Sequence, residues 1–338
     1  MELNVYQDPT GFEKLRGEWN ALLRRSDTDT IFLTHEWQST WWRFFAPGRD
    51  LLLLALREQG ELVGIAPFYR QRLADGQIVI QLIGGTEISD YLNIIVLPGY
   101  NKQVYQAIFE FLCTEIADWE AIDLHCLPAA VSHYESLRES AARQRLTLQR
   151  RVEDVCPVIP LPATWDEYLS MLDKKQRHEL RRKMRRAERE ADIRWYMTSD
   201  PHSLTKDMED FFDLHRKSSP DKEDFMSETE MQRFFHEAAR FALDRGWLEL
   251  SFLLVDGEKA ASMLCFAYNN RTLVYNSGYD PQRFARLSPG IVLLAYHIQD
   301  SIAKGRAAFD FLRGDEAYKY RFGGQDSEVL QITIRRGA

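Results

Sequence analysis

Two stretches late in this 338-residue chain crowd together side chains able to bind anions and move protons. The first, YNSGYDPQRFARLSPGIVLLA over residues 275–295, passes from a strand through a loop with two arginines into an apolar helix opened by Ser288-Pro289-Gly290. Serine at a cap, proline in the first turn and glycine behind it leave backbone N–H groups at a helix N-terminus without intrahelical partners, and such a terminus attracts phosphate. Arg283 and Arg286 stand just before it. Guanidinium forks match the oxygens of a pyrophosphate, so Arg283, Arg286, Ser288 and Gly290 are candidates for holding a diphosphate-bearing cofactor. The plainer alternative is a core helix start flanked by solvated arginines.

The second stretch, FDFLRGDEAYKYRFGG over residues 309–324, sets Asp310 on a strand, Asp315 and Glu316 in the following loop, and Tyr318, Lys319, Tyr320 and Arg321 behind them. Acids, phenols and an amine at a strand's end are what a general acid–base site uses, and a charged turn has the same composition. A parallel feature earlier in the chain, IGGTEISDYLNIIVLPG over residues 83–99, carries Asp90 and Tyr91 after Gly84-Gly85. These two either hold a polar substrate or cap a turn. The run KKQRHELRRKMRRAERE, residues 174–190, reads as a helix whose apolar seam is narrow and whose remaining circumference is cationic. It is either a solvated face or a lip that focuses anions such as tRNA or a nucleotide diphosphate.

The elements that must position these groups occur in two copies. LLLLALRE, a turn at Gly60, ELVGIAPFYR and QIVIQLIGG read as an antiparallel meander, as do LELSFLLV, Asp256-Gly257, KAASMLCFAY and TLVYNSGY. Each meander leads into an amphipathic helix, over residues 103–117 and 291–304, and then into a short Asp-bearing strand, AIDLHCL or AAFDFLRG. The repetition predicts an internal duplication and an α/β fold of the α+β type: two units, each a mixed, mostly antiparallel sheet flanked by helices. The expected boundaries are 1–160, a helical linker region 161–245 that includes the basic helix and is broken at Ser218-Ser219-Pro220, and 246–338. Helices are also expected at 12–25, after a Thr34 cap, and from Thr164.

Composition narrows the class. A net charge of −8 argues against a general nucleic-acid binder, while 45 % hydrophobic residues suffice for a real core. Cys113, Cys126, Cys156 and Cys265 are widely spaced and read as buried free thiols, and no metal site is indicated. No apolar run approaches bilayer length, and no secretory leader is visible, so a cytoplasmic location is expected.

From about residue 32 to residue 324 the chain resembles GNAT-superfamily acyltransferases of the CelD-like and BioF2-like group, which includes cellulose-biosynthesis proteins and is similar to Fem-type peptidyltransferases. The residues that carry it are FLTHEW (32–37), GIAPF (64–68), SDYL (89–92), the basic helix, and FDFLRGDE (309–316) with Tyr318-Lys319. The resemblance implies two tandem GNAT-like folds, an acyl-CoA donor such as acetyl-CoA at the C-terminal unit, and transfer of its acyl group to an amine of a small-molecule, glycan or peptide acceptor. The GNAT pyrophosphate loop, Q/R-x-x-G-x-G/A, would fall on Arg286, Ser288 and Gly290 with its first glycine missing. The tyrosine that protonates the leaving thiolate would match Tyr318, with Tyr320 as second choice and Asp315 or Glu316 as the base; Asp90, Tyr91, Asp310 and Lys319 would contact substrate. Two rival readings remain: a Fem-like transferase that uses charged tRNA, and a binding protein on a degenerate fold without chemistry.

Overall fold

The computed structural model describes residues 1–116, 118–130, 133–218 and 229–336. Two compact units emerge, Met1–Val155 with Ser327–Ala338, and Cys156–Asp326. The first contains β1 (Glu2–Tyr6), α1 (Thr10–Leu23), α2 (His35–Phe45), β2 (Arg49–Glu58), β3 (Glu61–Arg72), β4 (Ile78–Leu82), β5 (Ile95–Val96), α3 (Asn101–Thr114), β6 (Ala121–Pro128), α4 (His133–Arg143) and most of β7 (Leu146–Pro160). The second contains α5 (Trp165–Met171), α6 (Lys174–Glu190), β8 (Ile193–Met197), α7 (Pro201–Ser218), α8 (Thr229–Asp244), β9 (Leu248–Val255), β10 (Glu258–Tyr268), β11 (Arg271–Tyr279), α9 (Pro281–Phe284), α10 (Pro289–Ala303), β12 (Ala308–Asp310) and α11 (Ala317–Arg321). The last strand, β13 (Gln325–Arg336), lies almost wholly in the first unit.

The duplication is visible strand by strand. β1, β2, β3 and β4 pair antiparallel in sequence, and β4 then pairs parallel with β6. β8, β9, β10 and β11 repeat the order, and β11 pairs parallel with β12. In each copy the helix before the last strand, α3 or α10, makes the crossover that a parallel pair requires. The tight turns share one device: Gln59 and Gly60, Asp256 and Gly257, and Asn269 and Asn270 all have positive φ, as type I′ hairpin turns demand at both central residues. Thr34 caps α2 by accepting the Trp37 N–H at 3.3 Å, and Thr164 with Glu167 forms a capping box at α5.

Two expectations change. Residues 161–245 do not stand as a linker: β8 pairs with β9 from Ile193↔Val255 onward, so this stretch supplies the first strand and two helices of the second copy. The boundary at 160 also shifts, because β7 is one strand whose end, Val158 to Pro160, pairs with β12 in the second unit, while β13 pairs with β6 in the first. The expected break at Ser218-Ser219-Pro220 falls mostly on residues 219–228, and the end of the first crossover helix on residue 117, both outside the described residues. Among the described residues no helix is long and apolar enough to cross a membrane.

On the first unit's sheet, His125 sits between the carboxylates of Asp123, at 3.0 Å, and Glu153. Asp123 also accepts from Gln331 and Thr333 of β13, at 2.7 and 2.9 Å, so the cluster joins β6, β7 and β13. Burial works against a charged ring here, but the hydrogen bonds and charges of Asp123 and Glu153 outweigh it and raise the His125 pKa to about 9. A folded-state pKa above the ordinary 6.5 means that the stabilisation is complete below about pH 6.5 and is lost as pH climbs through about 9. Urea midpoints of the wild type are therefore expected to fall between pH 7 and 10, with the decline flattened in His125→Gln; parallel curves would refute this role.

Candidate active site

A one-residue irregularity in β11 aims the site. Cys265 pairs with Val274, but the next partner of Leu264 is Asn276, so Tyr275 is extra. Such a bulge reverses the alternation beyond it. Tyr275 and Asn276 consequently share one face, where the Tyr275 ring meets Phe235 of α8 at 5.2 Å and the Asn276 side chain bonds His215 of α7 at 2.9 Å. Ser277 and Tyr279 turn to the opposite face, opposite Met263 and Ala261 of β10. Gly278 lies under α7, where a Cβ would fall 2.3 Å from the backbone nitrogen of His215.

Ser277, Tyr279 and Met263 line a cavity of about 400 Å³ with Ser218, Ala285, Ser288, Gly290, Ile291, Leu294 and Tyr318. None of these residue types carries charge at neutral pH. A second cavity of about 700 Å³ runs beside α6, lined by Lys174, Lys175, His178, Lys183 and Arg321 with Gln176, Glu179, Leu180, Ile291, Tyr318 and Phe322. Tyr318 and Ile291 border both. Leu180 and Ala187 anchor α6 in the second unit's core, with Met184 packed against it, and Leu180 also borders the cleft.

The opening of α10 differs from a simple cap. Ser288 is left-handed, at φ 53° and ψ 51°, and its side chain makes no capping bond to the helix. Its N–H donates to Ala285, its carbonyl accepts from Ile291 and Val292, and Pro289 has no N–H, so Gly290 is left as the backbone donor at this point among the described residues. The hydroxyl of Ser288 accepts from Arg186 of α6 at 3.2 Å. Ser288 and Gly290 thus reach the smaller cavity, whereas Arg283 pairs with Glu258 at 2.6 Å and Arg286 with Glu190 at 2.9 Å, and neither arginine lines either of the two cavities.

The loop before α11 is built by two residues expected to touch substrate. Asp310 is fully buried, accepts the N–H of Leu312 at 2.9 Å and so supports that residue's positive φ of 56°. Lys319, also buried, donates to the carbonyls of Leu312, Arg313 and Gly314 at 3.3, 2.6 and 3.1 Å and pairs with Glu316 at 2.9 Å. Asp310 and Lys319 therefore hold the loop, and neither borders either of these two cavities. Tyr318 projects from the turn they fix, with its ring edge-on to Phe311 at 5.9 Å. Burial, then the charges of Glu316 and Cys265, push its phenol well above the ordinary range, so the proton stays on at neutral pH.

The carboxylates expected as bases lie elsewhere: Asp315 and Glu316 are exposed and line neither cavity. Tyr320 is also exposed, with its hydroxyl on Asp326 at 2.8 Å. Of the lining groups that could accept a proton, Glu179 is a poor one, because its hydrogen bond to Arg182 holds its pKa near about 2. His178 shares the larger cavity with Tyr318. Asp90 and Tyr91 belong to the first unit, where Tyr91 meets Phe32 at 6.2 Å and neighbouring Ser89 accepts from Trp37 and donates to Gly84, both at 2.9 Å.

Sequence reasoning named Ser288, Gly290, Tyr318 and the basic helix that carries the cleft's lysines, but not Met263 or Ser277. Lys175, Glu179 and Lys183 recur at i, i+4 on α6, a periodicity that marks one face. Met263 and Ser277 carried no signal, because the bulge decides their pairing.

Residues 174–320 match the family model for the acetyltransferase (GNAT) domain, a span within the second unit that runs from the start of α6 past Tyr318. No curated protein matches the sequence. Among solved structures, FemX is similar over 98 % of this chain and 97 % of its own, at 12 % identity and a TM-score of 0.66. L-PGS from Bacillus licheniformis is similar over 100 % and 95 %, at 11 % identity and 0.58. A tandem GNAT protein from the clavulanic acid biosynthesis pathway, solved without AcCoA, is similar over 100 % and 99 %, at 13 % identity and 0.50.

Proposed function

We propose, for a chain whose fold is the Fem-like tandem arrangement of the GNAT superfamily, that the second unit is an N-acyltransferase drawing its acyl group from an acyl-CoA. The observation that carries this reading is Tyr318: a protonated phenol bordering both an uncharged, hydroxyl-lined chamber and a basic cleft. A neutral acyl group suits the chamber, where Ser218, Ser277 and Ser288 offer hydroxyls, and Gly290 lets a chain approach the backbone. Charged parts of a substrate suit the cleft, where Lys174, Lys175, Lys183 and Arg321 face a single carboxylate, Glu179.

In this reading the acceptor's amine nitrogen attacks the thioester carbonyl carbon, the C–N bond forms and the C–S bond breaks. His178 takes the amine proton, directly or through water, and Tyr318 returns one to the departing sulfur. Ile291, shared by both cavities, helps hold the two substrates together, and most of the rate gain comes from that positioning.

The second reading is a charged-tRNA donor, favoured by the cationic face that α6 turns to the cleft. Calorimetric titration with acetyl-CoA and longer acyl-CoAs separates the two. Micromolar binding that weakens about tenfold or more when Ser277→Leu fills the chamber supports the thioester. Absence of thioester binding together with tRNA binding that falls steeply with salt overturns it.

A further inference from the structure

Two arginines meet on one carboxylate, and a third stands close by on the same helix and reaches the chamber's rim. Glu190, the last residue of α6, receives Arg189 on one oxygen and Arg286, from the turn before α10, on the other, both at 2.9 Å. Arg186, one turn back on α6, reaches the Ser288 hydroxyl at 3.2 Å, while its buried Nε has no hydrogen-bond partner. The hydrogen bond of Arg189, then the charges of Arg286, Arg189 and Arg186, hold the Glu190 carboxylate below its ordinary range. A carboxylate with a separate guanidinium on each oxygen is arranged as a phosphate would be. It carries one negative charge where a diphosphate carries more, and a donor of Arg186 remains unspent.

We propose that Arg186, Arg189 and Arg286 form a phosphate site whose resident occupant is Glu190, an internal competitor that the diphosphate of the donor displaces. The identity of that donor rests on the acyl-CoA reading; the anion site does not. Glu190 then does two things: it keeps three like charges together in the absence of ligand, and it sets how tightly the ligand must bind to enter. Exposed ion pairs are individually weak, so the competitor is displaceable at ordinary ligand concentrations.

The probe is inorganic pyrophosphate, titrated calorimetrically into the full chain at fixed ionic strength. Glu190→Gln is expected to bind it about fivefold more tightly than the wild type, the difference that losing one or two exposed ion pairs makes. Glu190→Asp, too short to span both guanidiniums, is expected to shift the same way and serves if the glutamine variant is unstable. Arg286→Ala is expected to weaken binding in either background. Unchanged or weaker binding by both Glu190 variants, or no pyrophosphate binding by any form, overturns the proposal. Tighter pyrophosphate binding by a protein that takes no acyl-CoA would leave the anion site standing and remove the donor reading.

Discussion

Tyr318→Phe is expected to lower kcat for acyl transfer by about 10²–10⁴-fold, the usual worth of a positioned proton donor, while leaving donor affinity close to that of the wild type. The substitution removes one oxygen and keeps the ring that stands edge-on to Phe311, so the turn held by Lys319 has no reason to rearrange. The upward push on the phenol adds a second expectation, that the wild-type rate does not fall on the alkaline side until well above pH 10. Single-turnover rates with acetyl-CoA across pH 6 to 10 test both. A variant with wild-type kcat, or one that loses donor binding in parallel with rate, would remove Tyr318 from the chemistry.

The largest structural effect is expected from Gly278→Ala. An ideal Cβ there lies 2.3 Å from the His215 nitrogen, 2.4 Å from the Leu214 carbonyl carbon and 2.6 Å from the His215 Cα, all backbone atoms of α7. A side chain could swing away from such a contact. A helix backbone cannot, so α7 must lift, breaking the His215–Asn276 bond and moving Ser218 at the chamber's rim. A loss of about 3 kcal/mol or more is expected, at or beyond the usual cost of overpacking. Gly290→Ala is the matched control, since its Cβ would find only Tyr279 Cδ1 at 3.9 Å. Denaturant midpoints that fell equally in both variants would contradict the close-approach argument.

The repeat was legible because its signals are local. Two-residue turns with Asp-Gly or Asn-Asn, an apolar run between them and a Ser-Pro-Gly helix start need no knowledge of distant residues, and the structure places strands and helices there within a few residues. What was missed among the strands depends on pairing. Ile193–Met197 is five residues long at the outer edge of its sheet and lies among long helices, so nothing in its own composition told it from a connection. Counting from Asn269-Asn270 would set Met263 opposite Asn276; the extra residue at Tyr275 gives it Ser277 instead, and with it a wall of the chamber.

The site residues divide in the same way. Tyr318 was read from its neighbours, and it lies on the border of two cavities. Asp310 and Lys319 were read from the same neighbours, yet a buried carboxylate that accepts a backbone N–H and an ammonium that gathers three carbonyls are loop-building parts. Residue type alone cannot separate these uses, because a charged group suited to substrate is equally suited to a turn whose carbonyls would otherwise be unpaired. The count of free N–H groups at α10 failed for a backbone reason, the left-handed Ser288, which turns its own N–H and carbonyl into the loop and helix.

The placement of β13 bears on how the protein comes to exist. The strand that completes the first unit's sheet beside β6 follows all of the second unit in the chain. A ribosome therefore delivers the whole second unit before the first can close, and until then the nascent first unit presents the bare edge of β6, the kind of edge that recruits stray strands. Meanwhile the second unit obtains its β7 segment early, and can finish first although it is made last. Order of synthesis and order of completion are thus reversed, and damage to the residues of β13 would be felt in the unit at the opposite end of the chain.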